Sequence, residues 1–154
     1  MKVLINIVLG ILFTTIVGCD SAYYSKSYSF GNRAWMYDDP RIFSFDIVDT
    51  SLIYDLILTV DHTDQFPYQN LYLKTLTKFP SDTIIEQSLS LELANEAGFW
   101  FGECQGAKCR LSIPIQSGVH FVESGSYNLD LEQYTRTDSL IGIKGIGLSV
   151  TVVD

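Results

Sequence analysis

The 154 residues carry 47% hydrophobic and 18% charged side chains, enough apolar surface for one folded domain and too little charge for a disordered stalk. Ten Lys and Arg against 18 Asp and Glu give a formal charge of −8. That balance makes the chain a poor partner for nucleic-acid backbones, and it disfavours anionic lipid head groups unless a basic patch is folded together.

The chain opens with Lys2 at the head of an apolar run, Val3 to Val17, interrupted by Asn6, Thr14 and Thr15. At about 15 residues the run is shorter than the ~20 that cross a bilayer as a helix, and it suits the apolar region of a secretory signal. Ile16-Val17-Gly18 then precedes Cys19. The arrangement resembles a bacterial lipoprotein signal peptide, cut just before the cysteine, with acyl chains added to the sulfur and the new amino terminus. An uncleaved anchor helix or a buried core helix is the competing reading. On the lipoprotein reading, residues 1–18 are removed and Cys19 is lipidated. Residues 19–30 are then the lipidated N-terminus and spacer, and 31–154 form one domain. Stable attachment takes two or more acyl chains, since one chain holds only marginally at about 0.8 kcal/mol per buried methylene. The mature domain is expected to be lipid-anchored in the cell envelope, facing the periplasm from the inner or the outer membrane.

Within the spacer only Tyr28-Ser29-Phe30 reads as extended. Arg41 to Ile47 then alternates cleanly at Phe43, Phe45 and Ile47, which predicts a strand with one buried and one wet face. Asp49-Thr50-Ser51 makes a turn, and Ile53 to Asp61 is apolar enough for a central strand. His62 to Gln65 with Pro67 reads as a loop, followed by a strand from Leu71 to Thr77. Thr83 to Leu93 has strand spacing at Ile85, Gln87, Leu89, Leu91 and Leu93, although Leu89 and Leu93 also satisfy a helical repeat. Leu111 to Ile115 is a strand whose Pro114 cannot donate a ladder hydrogen bond, so it lies on an edge or ends there. Tyr127, Leu129 and Leu131 share one face of the next strand, and Gly147 to Val153 is the last. Eight or nine short strands with frequent turns and no amphipathic helix predict an all-β antiparallel sandwich of Greek-key or jelly-roll type.

Chemistry-bearing motifs are scarce. His62 and His120 lack metal-ligand spacing, and no GxSxG elbow, HExxH helix or P-loop is present. His62 reads as a loop residue and His120 as the start of a strand. No catalytic residue, metal or cofactor is therefore expected. Once Cys19 carries lipid, Cys104 and Cys109 remain, flanking Gln-Gly-Ala-Lys. Outside the cytoplasm such a leftover pair is expected to form a disulfide at a hairpin tip, the alternative being two free thiols. Aromatic residues beside the turns are the stronger lead. Trp35, Phe66, Tyr68, Asn70 and Trp100 form the candidate partner surface, because interfaces favour Trp and Tyr anchors. In Phe99-Trp100-Phe101 consecutive rings must face opposite ways.

Several stretches, taken in order, resemble one family. They are Ala34-Trp35 with Asp38-Asp39 ahead of the Phe43/Phe45 strand, Tyr54, and Phe66-Pro67-Tyr68-Gln69-Asn70-Leu71-Tyr72-Leu73. Gly98-Phe99-Trp100-Phe101-Gly102 follows, then Phe121, Gly125-Ser126-Tyr127, Leu140, and Gly142-Ile143 with Gly145-Ile146-Gly147-Leu148. Together they look like the gliding-motility lipoprotein GldH family of Bacteroidota. The chain departs from that pattern at Asp61-His62 and Phe66, and the Cys104/Cys109 pair is not part of it. The resemblance implies an envelope lipoprotein associated with gliding and linked secretion machinery, working through other envelope proteins without catalysis. A carbohydrate-binding sandwich using the same aromatics is the competing reading.

Overall fold

A computed structural model describes residues 22–153; Cys19 and the signal segment lie outside the described residues. The elements are β1 (Tyr24–Ser29), β2 (Trp35–Met36), β3 (Arg41–Ile47), β4 (Ile53–Thr63), β5 (Asn70–Lys78) and β6 (Ile84–Glu92). They continue with β7 (Glu103–Gln105), β8 (Lys108–Val119), β9 (Gly125–Gln133), β10 (Ser139–Leu140) and β11 (Ile143–Val153). All pairings are antiparallel.

One sheet runs β1-β11-β4-β8-β7, the second β3-β9-β5-β6, and a small ribbon pairs β10 with β2. Setting the short β2, β7 and β10 aside, the first, eighth, third and sixth long strands make one sheet. The second, seventh, fourth and fifth make the other, which is the jelly-roll order. The all-β sandwich expected from the alternation is what forms. The strands beyond the expected eight or nine are too short to show any period.

Inward residues of both sheets share one core, including Phe43, Phe45, Leu58, Val60, Leu71, Leu73, Leu129, Leu131, Ile146 and Leu148. Pro114 sits opposite Ile57 where β8 has lost its β7 neighbour, so its missing N–H breaks no ladder. Gly145 lies between β1 and β4; a Cβ there would stand 3.0 Å from the Tyr28 carbonyl and 3.1 Å from the Asp61 carboxylate. The glycines ahead of the expected last strand therefore belong to it, and β11 starts at Ile143.

Two boundaries read from the sequence are corrected. β1 begins at Tyr24, so half of the expected spacer is a sheet strand. Tyr24 and Tyr28 turn inward and pack on Phe45 and Phe43 at 5.5 and 5.3 Å, which holds this polar-looking segment on the sandwich. β4 extends through His62, whose ring is fully buried rather than in a loop. His120 follows the end of β8 instead of starting a strand.

Register fixes the two ends of the sandwich. Tyr24 pairs with Val150, Val150 with Leu56, and Tyr54 with Val119, so the described N-terminus lies beside the β3–β4 and β8–β9 loops. The β4–β5, β6–β7 and β9–β10 connections gather at the far end. β4 spans 11 residues, about 35 Å at ~3.3 Å per residue, which sets the scale of the separation.

Candidate functional site

The far end carries a cleft of about 690 Å³ lined by Tyr37, Tyr68, Asn70, Tyr72, Tyr134, Thr135, Arg136 and Thr137. Each element delivers its residue for a local reason. Asn70 and Tyr72 take the outward positions of β5, alternating with buried Leu71 and Leu73. Tyr134 extends the β9 ladder past its end through an N–H donated to the Tyr72 carbonyl at 2.8 Å. Tyr37 leaves β2 with its N–H on the Asp138 carbonyl at 2.9 Å, which ties it to the β9–β10 loop. Tyr68 stands at the end of the β4–β5 loop, its ring edge-on to Phe66 at 5.5 Å.

The four tyrosines are 45 to 50% exposed, so each presents ring area and hydroxyl to solvent. Arg136 is the only charged residue in the lining, on a chain whose formal charge is −8. Next to the cleft, the Lys74 ammonium lies 2.7 Å from Glu132. Its pKa is raised chiefly by that hydrogen bond, with the Glu132 charge adding. Burial, reinforced by the Glu132 charge, raises the Asp130 carboxyl. Arg136 is thus the charged side chain that the cleft itself offers.

The sequence-derived candidate surface divides. Tyr68 and Asn70 line the cleft. Trp35 and Phe66 do not, because both are core residues. Trp35 is 0% exposed, stacks on Phe30 at 5.2 Å, and donates its indole N–H to the Asp39 carbonyl at 2.8 Å. Arg41 lies over the outer side of Phe30 at 4.9 Å and pairs with Asp39. Trp100 is half-buried away from the cleft, its ring 4.5 Å from that of His62, while Phe99 and Phe101 point out to solvent. The alternation expected for that triplet holds, with the middle ring inward. Tyr72, Tyr134 and Arg136 were missed as site residues. The signal for Tyr72 was its place on the wet face of an alternating strand.

His62 is a buried ring with a structural role. Its Nδ1 sits 2.9 Å from the Thr63 carbonyl, which requires the proton on Nδ1, and Nε2 has no partner. Beside it, Asp61 accepts two bonds from Arg110 across the β4–β8 register at 2.6 and 2.9 Å. Cys104 and Cys109 face each other in the β7–β8 hairpin and form the disulfide. Among the described residues, no group of three or more His, Cys, Asp or Glu could hold a metal ion.

Comparison with known proteins places the whole domain. A gliding motility lipoprotein GldH homolog of Christiangramia forsetii is 28% identical over 152 residues, covering 93% of this chain and 93% of that protein. The gliding motility lipoprotein GldH of Flavobacterium johnsoniae is 23% identical over 155 residues, with 94% and 96% covered. Among solved structures, a family 35 carbohydrate-binding module from an environmental isolate aligns over 86% of this chain and 81% of that one. It is 12% identical with a TM-score of 0.35, a likeness too slight to inform a ligand. Residues 22–150 match the family model described as GldH lipoprotein, and the chain belongs to that family.

Proposed function

We propose that this protein is a non-enzymatic interaction module of the gliding apparatus, tethered to an envelope membrane by lipid on Cys19 and engaging an envelope protein through the tyrosine cleft. One observation carries the reading. The first described residues lie at one end of the sandwich, and the cleft lies at the opposite end, about 35 Å away on the ~3.3 Å rise of an 11-residue strand. An anchor at one end leaves the other free to meet partners.

The composition of the cleft supports a protein partner. Tyrosine gives large contact area at low entropic cost, Asn and Thr give adaptable hydrogen bonds, and Arg is an anchor type favoured at interfaces. Tethering raises the effective concentration of the domain near other envelope components, so modest contacts suffice. The proposal extends to the linked secretion machinery on the strength of the family resemblance alone.

The test is crosslinking in intact cells, with the wild type compared with Tyr72→Ala, Tyr134→Ala and the outward Ser88→Ala of β6 as a control. Hot-spot truncations cost about 2 kcal/mol or more, roughly thirtyfold in affinity. Loss of one crosslinked envelope protein in both tyrosine variants but not in the control supports the reading. Equal recovery from all four contradicts it. The cleft hydroxyls and rings also suit a glycan, the second reading. Retention on a polysaccharide column, competed by free sugar and lost in the same variants, is its signature.

A further inference from the structure

The two seams between the sheets are built differently. Where β1 faces β3, Tyr24 and Tyr28 bridge to Phe45 and Phe43 and close the gap. Where β8 faces β6, neither strand carries an aromatic residue to pair across the gap. A cavity of about 270 Å³ opens there, walled by Phe121, Tyr127, Leu89 and Ile115. On β6, Ile85 points inward with its register partner Thr77, yet it remains 45% exposed because none of the described residues covers it.

This cavity is at the N-terminal end. Tyr23 packs edge-on against Tyr54 at 5.4 Å, and Tyr54 against Phe121 at 5.4 Å. The first described residues therefore stand two rings from the cavity wall. Cys19 is three residues before Ala22, a reach of about 10 Å at ~3.3–3.6 Å per residue. The cavity walls are mainly aliphatic and aromatic and suit hydrocarbon, with Thr75, Thr77, Gln87, Gln116 and His120 the polar members of the lining.

We infer that the β6–β8 seam is an acyl-chain site, and that its occupant is one acyl chain of the protein's own lipid on Cys19. The short tether gives that chain a high effective concentration at the site. With two or more chains on the anchor, seating one leaves the others in the bilayer. The seated chain fixes the sandwich upright, with its tyrosine cleft turned away from the membrane. Val122, 89% exposed in the loop bordering the cavity, extends the apolar surface toward the lipid.

The inference rests on lipidation of Cys19, which the intact mass of the purified full-length protein tests separately. Cells are grown with a fatty acid carrying a diazirine and an alkyne, and the lipoprotein is irradiated in detergent and mapped by mass spectrometry. Intramolecular adducts on peptides containing Ile85–Leu89 or Ile115–Phe121 are expected. They should fall at least about fivefold in Ile85→Asp and stay unchanged in Val48→Asp, a loop position outside the cavity. An acylated protein with no such adducts, or with adducts indifferent to Ile85→Asp, overturns the site and leaves the anchor standing. Labelling of the seam by an added diazirine phospholipid, without labelling by the anchor, overturns the choice of occupant. A mass showing no acyl group removes the anchor and this inference together.

Discussion

The buried amide of Gln133, 1% exposed, holds Thr135 from both ends of its turn. Its oxygen accepts the Thr135 N–H at 3.1 Å and hydroxyl at 2.5 Å, and its NH₂ donates to the Thr137 carbonyl at 3.0 Å. One side chain thus moulds the loop that presents Tyr134, Thr135, Arg136 and Thr137 to the cleft. Gln133→Ala removes the acceptor of the part-buried Thr135 N–H and one of the two donors to the Thr137 carbonyl. It is expected to cost about 1–3 kcal/mol, read as a lower midpoint in urea unfolding with unchanged slope. The same variant should weaken crosslinking at the cleft. A midpoint equal to wild type would show that the loop holds its shape without the amide.

Trp35 and Tyr68 were expected to act together, and the structure gives them opposite roles. Trp35→Ala empties a core position and should destabilise by about 3–5 kcal/mol. Tyr68→Ala removes an exposed ring and should stay within about 0.5 kcal/mol, while reducing partner capture. Thermal unfolding of the two variants checks this; similar losses of stability would contradict the assignment.

The Cys104–Cys109 crosslink closes a small hairpin, with a sequence separation of 5. Chain entropy gives such a loop about 2 kcal/mol. The hairpin tip is also docked, because the Ala107 carbonyl accepts the Asp64 N–H at 3.1 Å. Reduction should therefore lower global stability by about 2 kcal/mol or less and speed amide hydrogen exchange at Asp64 more than at Leu58. Uniform acceleration across β4 would rule out a local effect.

His62 makes stability depend on pH. Burial pushes its imidazole below the ordinary value of 6.5, more strongly than the Thr63 carbonyl and the Asp61 charge raise it. The unfolded chain takes up a proton near pH 6.5 that the folded ring refuses. The His62 contribution is therefore complete above that pH, declines as pH falls below it, and is gone once the folded pKa is passed. The slope cannot exceed about 1.4 kcal/mol per pH unit. Asp49, lowered by hydrogen bonds from Ser51, and Asp82, lowered by Lys78, act only in the carboxylate range further down. Unfolding midpoints at pH 7.5, 6.5 and 5.5 should fall for the wild type and flatten in His62→Phe. Equal midpoints for the wild type would count against a neutral buried ring.

The sequence by itself determined what depends on neighbours along the chain. Period-2 alternation at Phe43, Phe45 and Ile47, and at Tyr127, Leu129 and Leu131, assigned both the strands and their inward faces. The reason is that successive side chains in a strand must point oppositely. The hairpin around Cys104 and Cys109 and the edge character of Pro114 were legible for the same local reason. Only the tertiary structure decided which turn aromatics are covered. Trp35 lies on a two-residue strand with no period to read, and it is buried because β10, about a hundred residues later, brings Leu140 against it. Tyr24 became a strand residue through packing on Phe45 of β3, a contact that propensity cannot report. The cleft likewise joins Tyr37, Tyr72 and Tyr134 from three separate stretches. Burial and clustering are set by long-range pairing, so the same tyrosine is core in one place and surface in another.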